Sequence, residues 1–460
     1  MGEAAPILFL LMTILLLMSG VPVGIVLGGA SIWAAFIGHL TGIFDLRLLA
    51  GLPSRWFGIM TNEALLAIPL FCLMGVVLER SGIAERLLVS ISHLASGVRG
   101  SLALSVVIVG AVMAASSGIV GATVVTMGLV GLPAMLQRGY PPALATGTIA
   151  AAGTLGQIIP PSIALVILGD VIQGAHQQAE LAKGNFAPDP VSVVDLFAGA
   201  LLPGLLLVSL YAIWILFICR NRAPDADTAT LTGGSPGDDL SMQAILRSFV
   251  PPSLLILAVL GLVLFGIATP AEAAGMGAVG AILLALGSRS LDRAGMVAVL
   301  SRSVGLTAMI FFILLGASLF SLVFRGLGGD ALIHGLLTGP EGGLLAAMTM
   351  VMAALFLLGF FLEFVEITLV VIPVTAPALL ALGADPIWLA VMIAINLQTS
   401  FLTPPFGVAL FYLRGVTPPD VETLDIYRGV VPFVVMQLVC LLAVAVMPWL
   451  ATWLPGVLFR

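Results

Sequence analysis

Charge is what this chain has least of. Asp, Glu, Lys and Arg make up 9% of its 460 residues, hydrophobic residues make up 60%, and the mean hydropathy is +1.20. A soluble domain is roughly a quarter charged, so this composition cannot cover a water-facing body. A cytosolic enzyme, a secreted disulfide scaffold and a disordered chain are excluded. Lysine is nearly missing, with Lys183 alone against sixteen arginines, and the formal net charge of −6 offers no nucleic-acid surface. The three cysteines, Cys72, Cys219 and Cys440, lie far apart in apolar runs with no CxxC spacing. There is no HExxH, no P-loop, and no aspartate within the plain apolar crossings, which removes zinc proteolysis, ATP hydrolysis and a paired-aspartate intramembrane protease. What remains is an all-α polytopic membrane protein, embedded in a lipid bilayer and not an enzyme. The first apolar run opens at Pro6 with no basic residue before it and no small-residue cleavage pattern, so it reads as a retained crossing rather than a secretory signal.

A helix crosses the ~30 Å hydrocarbon core in about 20 residues. Plain crossings are predicted at 64–80, 197–219, 249–266, 270–287, 303–325 and 430–455, and 7–38 divides at Ser19-Gly20-Val21-Pro22 into two short ones. Four other apolar stretches are interrupted. Residues 102–136 are cut at Ala115–Gly121 and 344–382 at Glu363–Glu366, which predicts two re-entrant helical hairpins. Residues 143–173 are broken at Gly153–Pro161 and 387–416 at Asn396–Pro405, and each break contains Pro-Pro. Proline removes a donor and unseats the residue before it, so each marks an unwound segment between half-helices.

These features recur. At an offset of 244, Pro133, Gly139, Pro142, Pro160 and Pro161 match Pro377, Gly383, Pro386, Pro404 and Pro405. The chain therefore reads as two repeats, 1–219 and 249–460, joined by a polar cytoplasmic linker at 220–248. An odd number of crossings between the hairpins makes the repeats inverted. With both termini outside (periplasmic), twelve arginines fall inside and five of the seventeen basic residues outside, in keeping with the positive-inside rule.

Freed backbone inside a bilayer survives only when it is buried in protein or lines a wet cavity. Paired, inverted, interrupted helices point to a secondary-transporter site at the midplane. Half-helix N-termini suit an anion, and unwound carbonyls with neutral side-chain oxygens suit Na⁺. The oxygens in position are those of Ser116, Ser117, Thr154, Asn396, Thr399, Ser400 and Thr403. Isolated, such hydroxyls usually bond the preceding turn; clustered at two related breaks, they point to a site. Each hairpin tip is expected beside the break that follows it. Glu363 and Glu366 are either hydrated at a shallow tip or take part in cation binding or gating. Glu272 reads as a helix-start residue and Arg325 as an interfacial anchor.

Several motifs carry a family resemblance: Ile68-Pro69-Leu70-Phe71, Ala115-Ser116-Ser117-Gly118, the 153–162 break, Ala268-Thr269-Pro270-Ala271-Glu272, Gly359-Phe360-Phe361-Leu362-Glu363, and the 396–407 break. From about residue 5 to 455 the chain resembles the large membrane subunit, dicarboxylate-permease type, of tripartite ATP-independent periplasmic (TRAP) transporters. The resemblance implies an elevator-type symporter of the bacterial inner membrane that imports an organic acid anion with Na⁺ as coupling ion. Its implied partners are a small four-helix membrane subunit and a periplasmic substrate-binding protein. It implies one Na⁺ site at Ser116, Ser117, Gly118, Gly153, Thr154 and Pro160. A second would comprise Glu363, Glu366, Asn396, Thr399, Thr403 and Pro404, with substrate held by Ser117, Gly156, Gln157, Gln398 and Ser400. Many members of that family carry Asp where this chain has Glu363. The alternative is a stand-alone Na⁺/dicarboxylate or anion symporter that needs no binding protein. The polar outer stretch from Gln173 to Asp195 is expected to help dock the binding protein.

Overall fold

The computed structural model describes residues 4–94, 97–118, 120–220, 242–337 and 343–459. The described residues are helical, with no strand. Most of the linker therefore lies outside the described residues.

The first half opens with α1 (Ala5–Leu17) and α2 (Val23–Leu40), separated at the expected Ser-Gly-Val-Pro. A 3-10 turn (Leu46–Gly51) and a short helix α3 (Leu52–Met60), neither foreseen, lead to α4 (Ala67–Arg80) and α5 (Ile83–Leu94). The first hairpin is α6 (Ser101–Ser117) and α7 (Val120–Gln137). The first broken crossing is α8 (Pro142–Thr154), a 3-10 turn (Leu155–Gln157) and α9 (Ile163–Ala182), followed by α10 (Val193–Ile218). Much of the polar stretch after Gln173 is thus helix, and only 183–192 is loop.

The second half begins with α11 (Met242–Leu264), α12 (Pro270–Gly287), α13 (Arg293–Gly326) and α14 (Gly329–Leu337). Its hairpin is α15 (Leu344–Leu358), α16 (Phe364–Val370) and α17 (Ile372–Ala381), with a 58° bend between the last two where Pro373 follows. Then come α18 (Pro386–Leu402), α19 (Val408–Val416), α20 (Thr423–Val446) and α21 (Trp449–Phe459). The run read as one crossing at 430–455 is two helices, because Pro448 cannot continue the helix before it.

Among the described residues six helices are long and apolar enough to cross a membrane, or up to eight if each of two bent pairs counts as one span. Their starts are set locally. The Thr269 hydroxyl accepts from the Glu272 N–H at 3.3 Å while the Glu272 carboxylate accepts from the Thr269 N–H at 2.8 Å, the reciprocal cap expected of an acid early in a helix. Asp385 accepts from the Ile387 and Trp388 N–H groups, both at 2.9 Å. Arg325 donates to the Gln178 side chain at 2.5 Å and lies 3.7 Å from Asp330, which ties α13 to α9 and α14.

Element ends recur at the 244-residue offset. Adding 244 to α7 (120–137) gives 364–381, the span of α16 and α17, and adding it to the start of α8 (142) gives 386, the start of α18. Contacts exchange in the same way: α9 packs on α17 and α19 on α7, while α12 packs on α4 and α2 on α13. Both Pro-Pro peptides, 160–161 and 404–405, are cis. The helices sort into a wall of α2, α4, α12 and α13 and a body built around the hairpins, α8, α9, α18 and α19.

Candidate functional site

Each hairpin tip meets the break that follows it. Gly118 has φ +60°, the left-handed region that disfavours a side chain, and an added Cβ there would lie 2.8 Å from the Ile163 nitrogen. The first tip therefore rests on the N-terminus of α9. In the second hairpin the chain reverses over Gly359–Leu362. A Cβ on Gly359 would collide with the Ser400 hydroxyl, and the Phe361 and Phe406 rings lie 5.3 Å apart. The tips also approach each other through α19. A Cβ on Gly121 would meet the Tyr412 ring at 2.7 Å, and the Tyr412 hydroxyl donates to Glu363 Oε1 at 2.7 Å.

Between the tips lies a cleft with about 620 Å³ of free space, open solvent included. The first half lines it with Gly118, Gly121, Gln157 and Ile163, the second with Glu363, Phe401, Val408 and Tyr412, and α13 adds Met309 and Ile310. The first residues of α7, α9, α16 and α19 (Val120, Ile163, Phe364 and Val408) all reach it. The N-termini of α9 and α19 carry no side-chain cap: Ser162 turns its hydroxyl onto the Gly156 carbonyl at 2.6 Å, and α19 starts after Gly407. Their first N–H groups have no partner in their own helix, and Ile163 and Val408, which carry them, line the cleft. Gln157 is 2% exposed, and its Oε1 has no hydrogen-bond partner. No Lys, Arg or His lines the cleft among the described residues.

The side chains of Ser116 and Ser117 lie outside the described residues, although their backbone ends α6. Gly153 and Thr154 are buried in the last turn of α8, with Gly153 packed directly on Val124 of α7. Thr154 does not line the cleft. Its hydroxyl donates to the Ala151 carbonyl at 2.9 Å and accepts from Gln398 and Gln437, both at 3.4 Å, and Gln437 also donates to the Tyr211 hydroxyl at 2.8 Å. Thr154 and Gln398 stand 244 residues apart (398 − 154 = 244), the offset at which element ends recur, and touch in the core. Pro160 is buried in the first break.

The second break is shorter than its composition suggested. Helix α18 continues to Leu402, so Asn396, Gln398, Thr399 and Ser400 are helical, and only Thr403–Gly407 is unwound. Burial on every side sustains the helix there: Ile387 and every residue from Leu389 to Leu402 are buried. The hydroxyls of Thr399, Ser400 and Thr403 donate to carbonyls of their own helix at 2.7–2.8 Å, and the Asn396 amide donates to the Met352 carbonyl of α15 at 2.8 Å. Their lone pairs remain free, since donating a hydroxyl proton leaves its oxygen able to accept. Pro404 sits in the unwound segment. Glu363 is exposed at the tip and Glu366 is half-buried behind it, with Glu366 Oε2 accepting from the Glu363 N–H at 3.0 Å. Among the described residues no three His, Cys, Asp or Glu side chains cluster to hold a metal.

Sequence reasoning missed Tyr412 and Gln437. Tyr412 is one of only four tyrosines and follows the second Pro-Pro by a turn and a half of helix, and Gln437 is a lone amide inside an apolar crossing; both signals were available.

The family described as "Tripartite ATP-independent periplasmic transporter, DctM component" matches residues 10–450. The chain is 31% identical to the C4-dicarboxylate TRAP transporter large permease protein DctM of Rhodobacter capsulatus, over 97% of each. It is 28% identical to the sialic acid TRAP transporter large permease protein SiaM of Vibrio cholerae, over 96% of each, and 28% identical to the ectoine/5-hydroxyectoine large permease UehC of Ruegeria pomeroyi, over 99% of each. Its fold is similar to that of the YdaH transporter of Alcanivorax borkumensis (TM-score 0.63, 16% identity, 98% of this chain and 99% of that one). With a match that leaves out only the chain's extremities, and with its run of apolar helices, this protein belongs to the DctM family of large TRAP permeases, as a multi-pass inner-membrane transport protein rather than an enzyme.

Proposed function

We propose that the chain imports an organic acid anion together with Na⁺, holding both between the hairpin tips and moving them by an elevator displacement of the hairpin-bearing body along the α2/α4/α12/α13 wall. The observation that carries the reading is the convergence of the α7, α9 and α19 N-termini on a cleft that no basic side chain lines among the described residues. Oriented N–H groups favour an anion there. Glu363 in the same cleft argues for a cation beside it, because two negative groups in a confined site require a positive one between them. Gln157 Oε1 and the lone pairs of Thr399, Ser400 and Thr403 are neutral oxygens of the kind Na⁺ accepts. The 244-residue recurrence of element ends and the exchanged contacts support two inverted copies as the moving frame.

The relatives named above are labelled for C4-dicarboxylate, sialic acid and ectoine, and a further one, from Oleidesulfovibrio alaskensis, for isethionate. A carboxylate or sulfonate is common to these compounds, which fits a cleft on which helix N-termini converge. A periplasmic binding protein and a small membrane subunit are the partners this reading requires. Proteoliposomes holding both membrane subunits should take up the cognate acid only with an inward Na⁺ gradient and with the binding protein present. Uptake of equal rate without the binding protein would favour the stand-alone symporter, and uptake indifferent to Na⁺ would remove the coupling.

The 183–192 loop is a candidate docking point. Phe186 is 85% exposed there, while Lys183 donates to the Leu380 carbonyl of α17 at 3.0 Å and so ties the loop to the second hairpin. Replacing Phe186 by Asp should lower the apparent affinity for the binding protein about tenfold, the scale of one aromatic anchor, with substrate dependence unchanged. An unaltered dependence on binding-protein concentration would rule the loop out.

A further inference from the structure

A second cavity lies next to the cleft, and the two share Gly121 and Tyr412. It runs along one face of α7, past Val125 and Thr126, between that helix and the wall formed by α4 and α13. Its far end carries Glu79 and Arg302. Arg302 Nη1 lies 3.2 Å from Glu79 Oε1, and Thr126 of the hairpin donates to the same oxygen at 3.4 Å. Among the described residues lining the two cavities, Arg302 is the only cation.

We infer that this second cavity is an anion-binding release vestibule in which Arg302 receives the carboxylate of the departing solute. The direction follows from helix position. The cavity starts at the hairpin tip and ends one residue before Arg80, in the first third of α13, on the side that the positive-inside rule assigns to the cytoplasm. The Tyr412 ring is the partition, held over the boundary by its hydroxyl's bond to Glu363. An anion leaving the cleft past Tyr412 meets, among the described residues lining the two cavities, no fixed positive charge until Arg302. That guanidinium carries five N–H donors, and Glu79 approaches it at Nη1, so a carboxylate can be received beside Glu79. Glu79 then weakens the hold enough for release, as a neighbouring negative charge must. Calling the cavity a release path rests on the anion-import reading; its anion selectivity does not, and the test separates the two.

A cysteine placed at Val125, in a chain whose Cys72, Cys219 and Cys440 are replaced by alanine, should react in inside-out vesicles with both anionic sulfonatoethyl and cationic trimethylammonioethyl methanethiosulfonate. Arg302→Gln should lower the anionic-to-cationic rate ratio about tenfold, and Glu79→Gln should raise it by a similar factor, as expected for one charge within a Debye length of the thiol. Arg302→Lys should keep the wild-type ratio, which guards against a folding defect. The inference is overturned if the thiol reacts only in right-side-out vesicles. It is equally overturned if the ratio is unmoved by both substitutions, or if both move it the same way, as a purely structural strut would. Charge-selective labelling in a protein that shows no Na⁺-driven uptake would instead sink the transport reading and leave the anion site standing.

Discussion

Glu363→Gln should raise the Na⁺ concentration needed for half-maximal uptake by tenfold or more while leaving insertion and folding intact. Glutamine keeps an oxygen that can accept from the Tyr412 hydroxyl, now 2.7 Å away, so the contact between the second tip and α19 survives and only the charge is lost. Bonds to a charged group contribute roughly 1.5–3 kcal/mol more than nothing at all, and each ~1.4 kcal/mol is a factor of ten in affinity. Glu366 faces the backbone of the tip and cannot readily substitute, since its Oε2 is engaged by the Glu363 N–H at 3.0 Å. Sodium-dependent uptake in proteoliposomes measures the effect. If Glu363 is only a hydrated tip residue, the Na⁺ titration will superimpose on that of the wild type.

The second large effect concerns assembly. Helices α8 and α20 cross with their backbones in contact: a Cβ on Gly147 would strike the Gly429 carbonyl, and a Cβ on Gly429 would strike the Ala143 carbonyl. Both obstacles are backbone, so no side-chain rotation relieves them. Gly429→Ala should force the two helices apart and destabilise the fold by about 1–3 kcal/mol or more, the range for overpacking. Small residues at such crossings are how membrane helices approach closely, where lipid supplies no hydrophobic drive to hold them. The separation would also break the bonds that Gln398 of α18 and Gln437 of α20 donate to Thr154 of α8, leaving more buried polar atoms unmatched. A lowered unfolding temperature in detergent and loss of the monodisperse peak should follow. A variant as stable as the wild type would show that the crossing is looser than described.

Much of the frame was legible along the chain because its punctuation is local. Proline and glycine act on their immediate neighbours, so the divisions at Ser19–Pro22, the reversal at Gly118 and the unwound Pro-Pro segments could be read without knowing what they pack against. Short amphipathic pieces such as α3 and α14 escaped, since nine residues carry too little periodicity to stand out from a loop. The site was legible only in part. Gly118, Gln157 and Glu363 do line the cleft, whereas Thr154 turns into the core to meet Gln398, 244 positions on.

Residue order and composition alone determined that the chain lives in lipid, that it is helical, and where its helices stop, because hydrophobic length and backbone punctuation depend on neighbours in sequence. Tertiary packing decided which polar atoms face the cleft and how far each helix persists through its break. Asn396 to Leu402 stay helical because the surrounding helices bury them on all sides, and Tyr412 meets Glu363 at a sequence separation of 49. Side-chain direction depends on what closes around a helix, and no local rule carries that information.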